Sequence, residues 1–197
     1  MINLSQIRYT VAQRSTKPIV KVLCKTRLTP DGLTIIGFIL SFGAAGAIAT
    51  GNLLVGGILV LFSGAFDMLD GALARAKKHC TRFGALLDST IDRFSEAIVL
   101  LGLLILCVGQ HSTLEILLVY VTLLGSVMVS YIRSRAEGLR LECSVGWFTR
   151  PERVIVLALG LLLNQVLIAL WVLVVFTHLT VVQRLVHVWQ ETKKEPN

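Results

Sequence analysis

Long apolar runs alternate with short clusters of charge along the chain, and most of the runs have the length of a membrane-spanning helix. A helix crossing a hydrocarbon core needs about 20 apolar residues. The runs predict spans near 33–51, 53–74, 84–108 and 113–134. The stretch from Val154 to Val186 is 33 residues, too long for one span. Asn164 and Gln165 interrupt it, which predicts two shorter spans near 152–164 and 166–186.

Residues 1–30 read differently. Arg8, Arg14, Lys17, Lys21, Lys25 and Arg27 are interleaved with Val11, Ile19, Val20, Val22 and Leu23. That mixture predicts one or two amphipathic helices lying on the membrane surface, with Pro18 separating them or starting the second. The first thirty residues hold no apolar region of the kind found in a cleavable leader. The expected fold class is therefore an all-α integral membrane protein. Six transmembrane helices (31–190) follow an amphipathic juxtamembrane segment (1–30), and 1–197 forms a single membrane domain.

Charge orients this arrangement. Of the 19 Lys and Arg, those outside the N-terminal segment gather around the second connection (Arg75, Lys77, Lys78, Arg82), around the fourth (Arg133, Arg135, Arg140, Arg150, Arg153) and at the C-terminus (Arg184, Lys193, Lys194). Arg93 lies just inside the third span. The connections near Gly51, 109–112 and Asn164 carry none. By the positive-inside rule both termini are expected in the cytoplasm, with the chain in the cell membrane. Composition agrees: 54% of residues are apolar and 16% charged, and mean hydropathy is +0.75. In so apolar a chain, a net charge of +7 fits a basic rim facing anionic lipid heads and argues against a nucleic-acid partner. Cys24, Cys80, Cys107 and Cys143 have no CxxC spacing and read as free thiols. The four histidines show no ligand spacing. Trp147, Trp171 and Trp189 suit interfacial or lipid-facing positions.

The polar residues inside the apolar runs carry the chemistry. The second span ends in Asp67-Met-Leu-Asp70-Gly71-Ala-Leu-Ala74-Arg75, and the third begins Gly84-Ala-Leu-Leu-Asp88-Ser-Thr-Ile-Asp92. On helices, Asp67 and Asp70 share a face, as do Asp88 and Asp92. The short connection makes the two spans expected antiparallel neighbours, with the carboxylates converging at the cytoplasmic end. Clustered carboxylates repel unless cations hold them. Hard divalent ions such as Mg²⁺ or Mn²⁺ prefer such oxygens and bridge them to phosphates. Two such ions could clamp a pyrophosphate. Gly71 would admit a ligand close to the helix backbone, and Arg75 is spaced to hold a phosphate. Two other readings fit the same acids. They could be structural glue paired with Arg75, Arg82 and Arg93, or a cation or proton relay in a small transporter.

At these residues the chain resembles the CDP-alcohol phosphatidyltransferase family, whose signature is D-x2-D-G-x2-A-R-x8-G-x3-D-x3-D. Asp67, Asp70, Gly71, Ala74, Arg75, Gly84, Asp88 and Asp92 fill every fixed position. The resemblance implies six spans after a surface helix, a homodimer, and two divalent ions held chiefly by Asp67, Asp70 and Asp88 with Asp92 near them. It makes Asp92 the general base that takes the acceptor's proton before attack on the β-phosphorus of a CDP-linked lipid, with CMP released. It gives Gly71, Arg75 and Thr81 contacts to the nucleotide diphosphate. Thr29-Pro30-Asp31-Gly32-Leu33-Thr34 looks like the family's other nucleotide contact.

For the acceptor, Asp88-Ser-Thr-Ile-Asp92-Arg93, Ser130-Tyr131-Ile-Arg133-Ser-Arg135-Ala-Glu137 and Arg150-Pro-Glu152-Arg153 resemble the members that use inositol phosphate. Arg133 stands where those often carry Lys, so the geometry there can differ. Several arginines beside one cavity suit a phosphorylated alcohol, and Ser130, Arg133, Arg135 and Arg153 are the expected contacts. A structural reading of these arginines is flanking charge, or pairing with Glu137 and Glu152. Glycerol phosphate is the alternative acceptor, and behind it inositol, serine or another polar alcohol.

Overall fold

The computed structural model describes residues 20–24, 28–77 and 81–193. Regular structure among them is α-helical: α1 (Pro30–Ala49), α2 (Leu53–Ala76), α3 (Arg82–Gly109), α4 (Thr113–Gly138), α5 (Arg150–Leu162) and α6 (Val166–Thr192). Each predicted span overlaps one of these helices, and those near 33–51 and 152–164 run two residues past the helix end. α1, α2, α4 and α6 are long and apolar enough to cross a membrane. α3 is longer, but Arg82, Asp88, Asp92, Arg93 and Glu96 stand in its N-terminal portion. α5 has 13 residues, about 20 Å of helix at 1.5 Å per residue, against a hydrocarbon core of about 30 Å.

Local sequence explains the boundaries. Thr29 caps α1, its Oγ1 accepting the Gly32 N–H at 3.1 Å, and Pro30 occupies the first turn, where no backbone donor is needed. Thr81 caps α3 in the same way, accepting from Gly84 at 2.9 Å. Glu152 closes a capping box at the start of α5, where the Thr149 N–H donates to it at 2.8 Å. The break between α5 and α6 falls at Asn164, which adopts φ 55° while the Gln165 N–H returns to Gly160 O at 2.7 Å.

One expectation is overturned. α2 and α3 are not a packed antiparallel pair. Each packs on α1, and α2 also packs on α5, α3 on α4, and α6 on α4 and α5. Small residues let α1 in: Gly102 of α3 rests on the Ala45 backbone, where a side chain would collide. Their acidic ends still converge, with carboxylate oxygens of Asp67, Asp70 and Asp88 within 4.8 Å of one another.

The main core joins Ala44, Ile48, Leu100, Leu103, Leu161 and Leu173. The outer faces are also apolar, with Phe42, Phe62, Leu101, Leu117, Trp171 and Leu185 exposed, as lipid contact requires. Trp147 and Trp189 are exposed too. The surface segment expected over 1–30 lies mostly outside the described residues. Val20–Leu23 is helical, and Val20 is buried against Leu33 and Leu73. Cys24 is exposed, Cys107 and Cys143 are buried, and burial pushes the Cys143 thiol up. Cys80, Lys78, His79 and Lys194 lie outside the described residues.

Candidate active site

The starts of α1, α3 and α5 and the ends of α2, α4 and α6 meet at one end of the bundle, tied by long-range polar contacts. Thr34 donates to Asp70 Oδ2 at 2.6 Å, joining α1 to α2. Arg153 of α5 grips Glu96 of α3. Arg184 of α6 reaches the backbone oxygens of Val129 and Val145.

Asp67, Asp70 and Asp88 each offer a carboxylate oxygen, all within 4.8 Å of one another. Asp70 is buried, and the other two are half-buried. The donor set is all oxygen and carries formal negative charge, which suits Mg²⁺ or Mn²⁺. Asp92 stands beside this cluster. Arg150 joins them, pairing with Asp67 Oδ2 and, at 2.6 Å, with Asp92 Oδ1. Arg150 was not among the partners considered from sequence. Arg93, one of the partners considered from sequence, donates instead to the Ser89 carbonyl on its own helix.

A cavity opens on each side of the acids. The first, about 170 Å³, is lined by Pro30, Asp31, Thr34, Gly71, Arg75, Thr81, Asp70 and Asp88 among others. It gathers most of the residues predicted to meet the nucleotide. The predicted Gly32 and Leu33 do not line it. Gly32 donates to the cap on Thr29, and Leu33 is 1% exposed, packed on Leu73. The N-termini of α1 and α3 flank this cavity and bring partial positive charge to it. At Gly71 an added Cβ would meet only the Arg75 side chain, at 3.5 Å, so the helix backbone is open to the cavity.

The second cavity, about 430 Å³, is lined by Asp92, Arg93, Glu96, Ser130, Arg133, Ser144, Arg150, Arg153 and Arg184 among others. Three of the four predicted acceptor contacts line it. Arg135 does not; it is exposed on the other side of α4, because residues two apart on a helix point nearly opposite ways. The pairing of Arg133 with Glu137, at 2.8 Å, is exposed and contributes little stability.

Sequence reasoning missed Glu96 and did not single out Arg150 or Arg184 for this site. Two signals were present. Asp88, Asp92 and Glu96 recur every fourth residue on α3. On α6, Thr177, Thr180 and Arg184 form a buried polar stripe in an apolar helix.

The CDP-alcohol phosphatidyltransferase profile matches residues 27–186. The chain belongs to the CDP-alcohol phosphatidyltransferase family. The archaetidylinositol phosphate synthase of Methanothermobacter thermautotrophicus is 38% identical over 196 residues, covering 96% of each chain. The phosphatidylinositol phosphate synthase of Mycobacteroides abscessus is 37% identical over 179 residues, 86% of this chain and 81% of that one. Among solved structures, the Mycobacterium tuberculosis phosphatidylinositol phosphate synthase with CDP-DAG bound superposes with a TM-score of 0.80 at 37% identity, covering 89% of this chain and 94% of that one. The same enzyme with manganese and citrate gives 0.79 at 37% identity, covering 88% of each chain.

Proposed function

We propose that this membrane enzyme transfers a phosphatidyl-type group from a CDP-linked lipid such as CDP-diacylglycerol to inositol phosphate, releasing CMP. The observation that carries the proposal is the position of Asp92. It lines the arginine-rich cavity and shares Arg150 with Asp67 of the carboxylate cluster. A group at that seam can act on an acceptor in one cavity and a donor in the other. The relatives named for inositol phosphate lipids, and the similar enzyme with CDP-DAG bound, support the same reading.

In this reading the nucleotide end of the donor sits against Pro30, Asp31, Thr34, Gly71, Arg75 and Thr81. Gly32 and Leu33 shape that wall from behind. Asp67, Asp70 and Asp88, with Asp92 adjoining, hold two Mg²⁺ or Mn²⁺ ions, which supply charge neutralisation for the pyrophosphate. Ser130, Arg133, Arg153 and Arg184 bind the acceptor's phosphate and aim its hydroxyl at Asp92. Asp92 takes the hydroxyl proton. The oxygen forms a bond to the β-phosphorus of the donor, the bond from that phosphorus to the bridging oxygen breaks, and CMP departs with the bond's electrons. Arg150 keeps Asp92 oriented toward the seam.

The whole chain, 1–197, acts as one domain in the plasma membrane, with six helices spanning and α5 the short one. Basic residues on the site's end and their absence at the other support cytoplasmic termini and a cytoplasmic active site. The enzyme works as a homodimer.

The test is CMP release from ester- and ether-linked CDP-lipids with inositol phosphate, inositol, glycerol phosphate and serine as acceptors. The expected result is release with inositol phosphate well above the rest. Faster release with glycerol phosphate would overturn the assigned acceptor.

A further inference from the structure

We propose that Glu96 is a positioning residue for the acceptor, acting through Arg153. This rests on the acceptor reading of the arginine-lined cavity. Glu96 lies one helical turn beyond Asp92 and borders the same cavity. A carboxylate there repels an incoming phosphate unless its charge is fully engaged, so its presence needs a reason.

The contacts supply one. Arg153 Nε donates to Glu96 Oε1 at 2.7 Å, and Nη2 donates to Oε2 at 2.8 Å. Ser126 Oγ adds a third bond, to Oε1, at 2.9 Å. Ser126 is 2% exposed, and Arg153 3%. The two-pronged bond fixes the plane of the guanidinium, and the serine fixes the carboxylate. Two nitrogens of Arg153 are then occupied. The remaining one, Nη1, is buried and has no hydrogen-bond partner, on a residue that lines the cavity. A buried charged donor left unbonded is costly, and an anionic oxygen is the partner that satisfies it. Glu96 thus neutralises the buried stem-side of Arg153 while committing one donor to the acceptor. Arg133 and Arg184 add positive charge to attract the phosphate.

The experiment is steady-state kinetics of the full-length chain in detergent micelles, varying inositol phosphate and CDP-lipid in turn, for Glu96→Gln, Arg153→Ala and the double variant. Glu96→Gln replaces one acceptor with an amide that faces a guanidinium N–H. The acceptor KM should rise about tenfold, with kcat and the donor KM within about twofold of the parent. In the Arg153→Ala background, Glu96→Gln should raise the acceptor KM no further and should lower it, because it removes a carboxylate left without its guanidinium. A fall in kcat with unchanged acceptor KM would overturn the proposal, as would multiplying effects in the double variant. If Arg153→Ala raises the acceptor KM and Glu96→Gln does not, Glu96 alone is wrong. If Arg153→Ala itself leaves the acceptor KM unchanged, the acceptor reading fails first. Should Glu96→Gln not fold, Ser126→Ala keeps both charges and removes only the lock on the carboxylate. It should raise the acceptor KM severalfold, and an unchanged value would overturn the proposal.

Discussion

The two cavities flanking the carboxylates are built on different plans. The smaller takes its walls from α1, α2 and the start of α3, and it offers helix N-termini, two threonines, a bare glycine backbone and Arg75. The larger draws on α3, α4, α5, α6 and the α4–α5 connection, and it is dominated by arginines. The first suits a ligand whose charge is shared with cations at Asp67, Asp70 and Asp88. The second suits an anion met directly by guanidinium. Substrate identity is thus divided in space, and only Asp92 and Arg150 belong to the border. A substitution on one side should disturb one substrate alone.

The largest effect is expected in the carboxylate cluster on the smaller cavity's side. Asp70→Asn removes the charge of a buried cluster member and leaves one acceptor oxygen, able to take the Thr34 bond, where the carboxylate had two. Turnover should fall about a thousandfold, in the range lost when a charge-stabilising group is removed. Mn²⁺ affinity, measured by electron paramagnetic resonance, should fall with it. Unchanged Mn²⁺ binding would move the cations elsewhere. Next comes Arg153→Ala, expected to raise the acceptor KM about 10- to 100-fold, as for loss of charged hydrogen bonds, with the donor KM unchanged. An equal rise in both constants would erase the division between the cavities. Gly71→Leu should do the reverse, filling the smaller cavity and raising the donor KM about tenfold, about the value of a methylene or two misplaced against a ligand. Normal donor kinetics in that variant would take the nucleotide out of this cavity. The smallest effect belongs to Arg135→Ala. Its side chain is outside the larger cavity, so both constants should stay within about twofold, as for most exposed charges. A tenfold change would bring Arg135 back into the site.

The two halves were unequally legible in the sequence. The clustered acids, Asp92 and Gly71 come from one contiguous stretch, Asp67 to Asp92, where helical spacing alone puts the carboxylates on common faces. Thr29-Pro30 announces a helix start without any tertiary knowledge. The helix boundaries followed from apolar run length and from the polar pair Asn164-Gln165. The larger cavity is a tertiary object. Arg150, Arg153 and Arg184 come from helices whose packing partners no local pattern reveals. Arg184 looked like flanking charge because it sits at the end of an apolar run, and only its stripe with Thr177 and Thr180 hinted at burial. Arg135 was misplaced because sequence proximity to Arg133 was given more weight than the helical angle between them. The wedge of α1 between α2 and α3 was hidden because adjacency along the chain favours a direct pairing, while the close approach of Gly102 to the Ala45 backbone is a tertiary contact.

The central claim is that Asp92 joins a donor half to an acceptor half. The most direct test is Asp92→Asn, followed by equilibrium binding of Mn²⁺ and CDP-lipid alongside CMP release with inositol phosphate. The account predicts binding of metal and donor within about threefold of the parent, with CMP release lower by about a hundredfold or more, the range expected for loss of a general base. CMP release at the parent rate would contradict it.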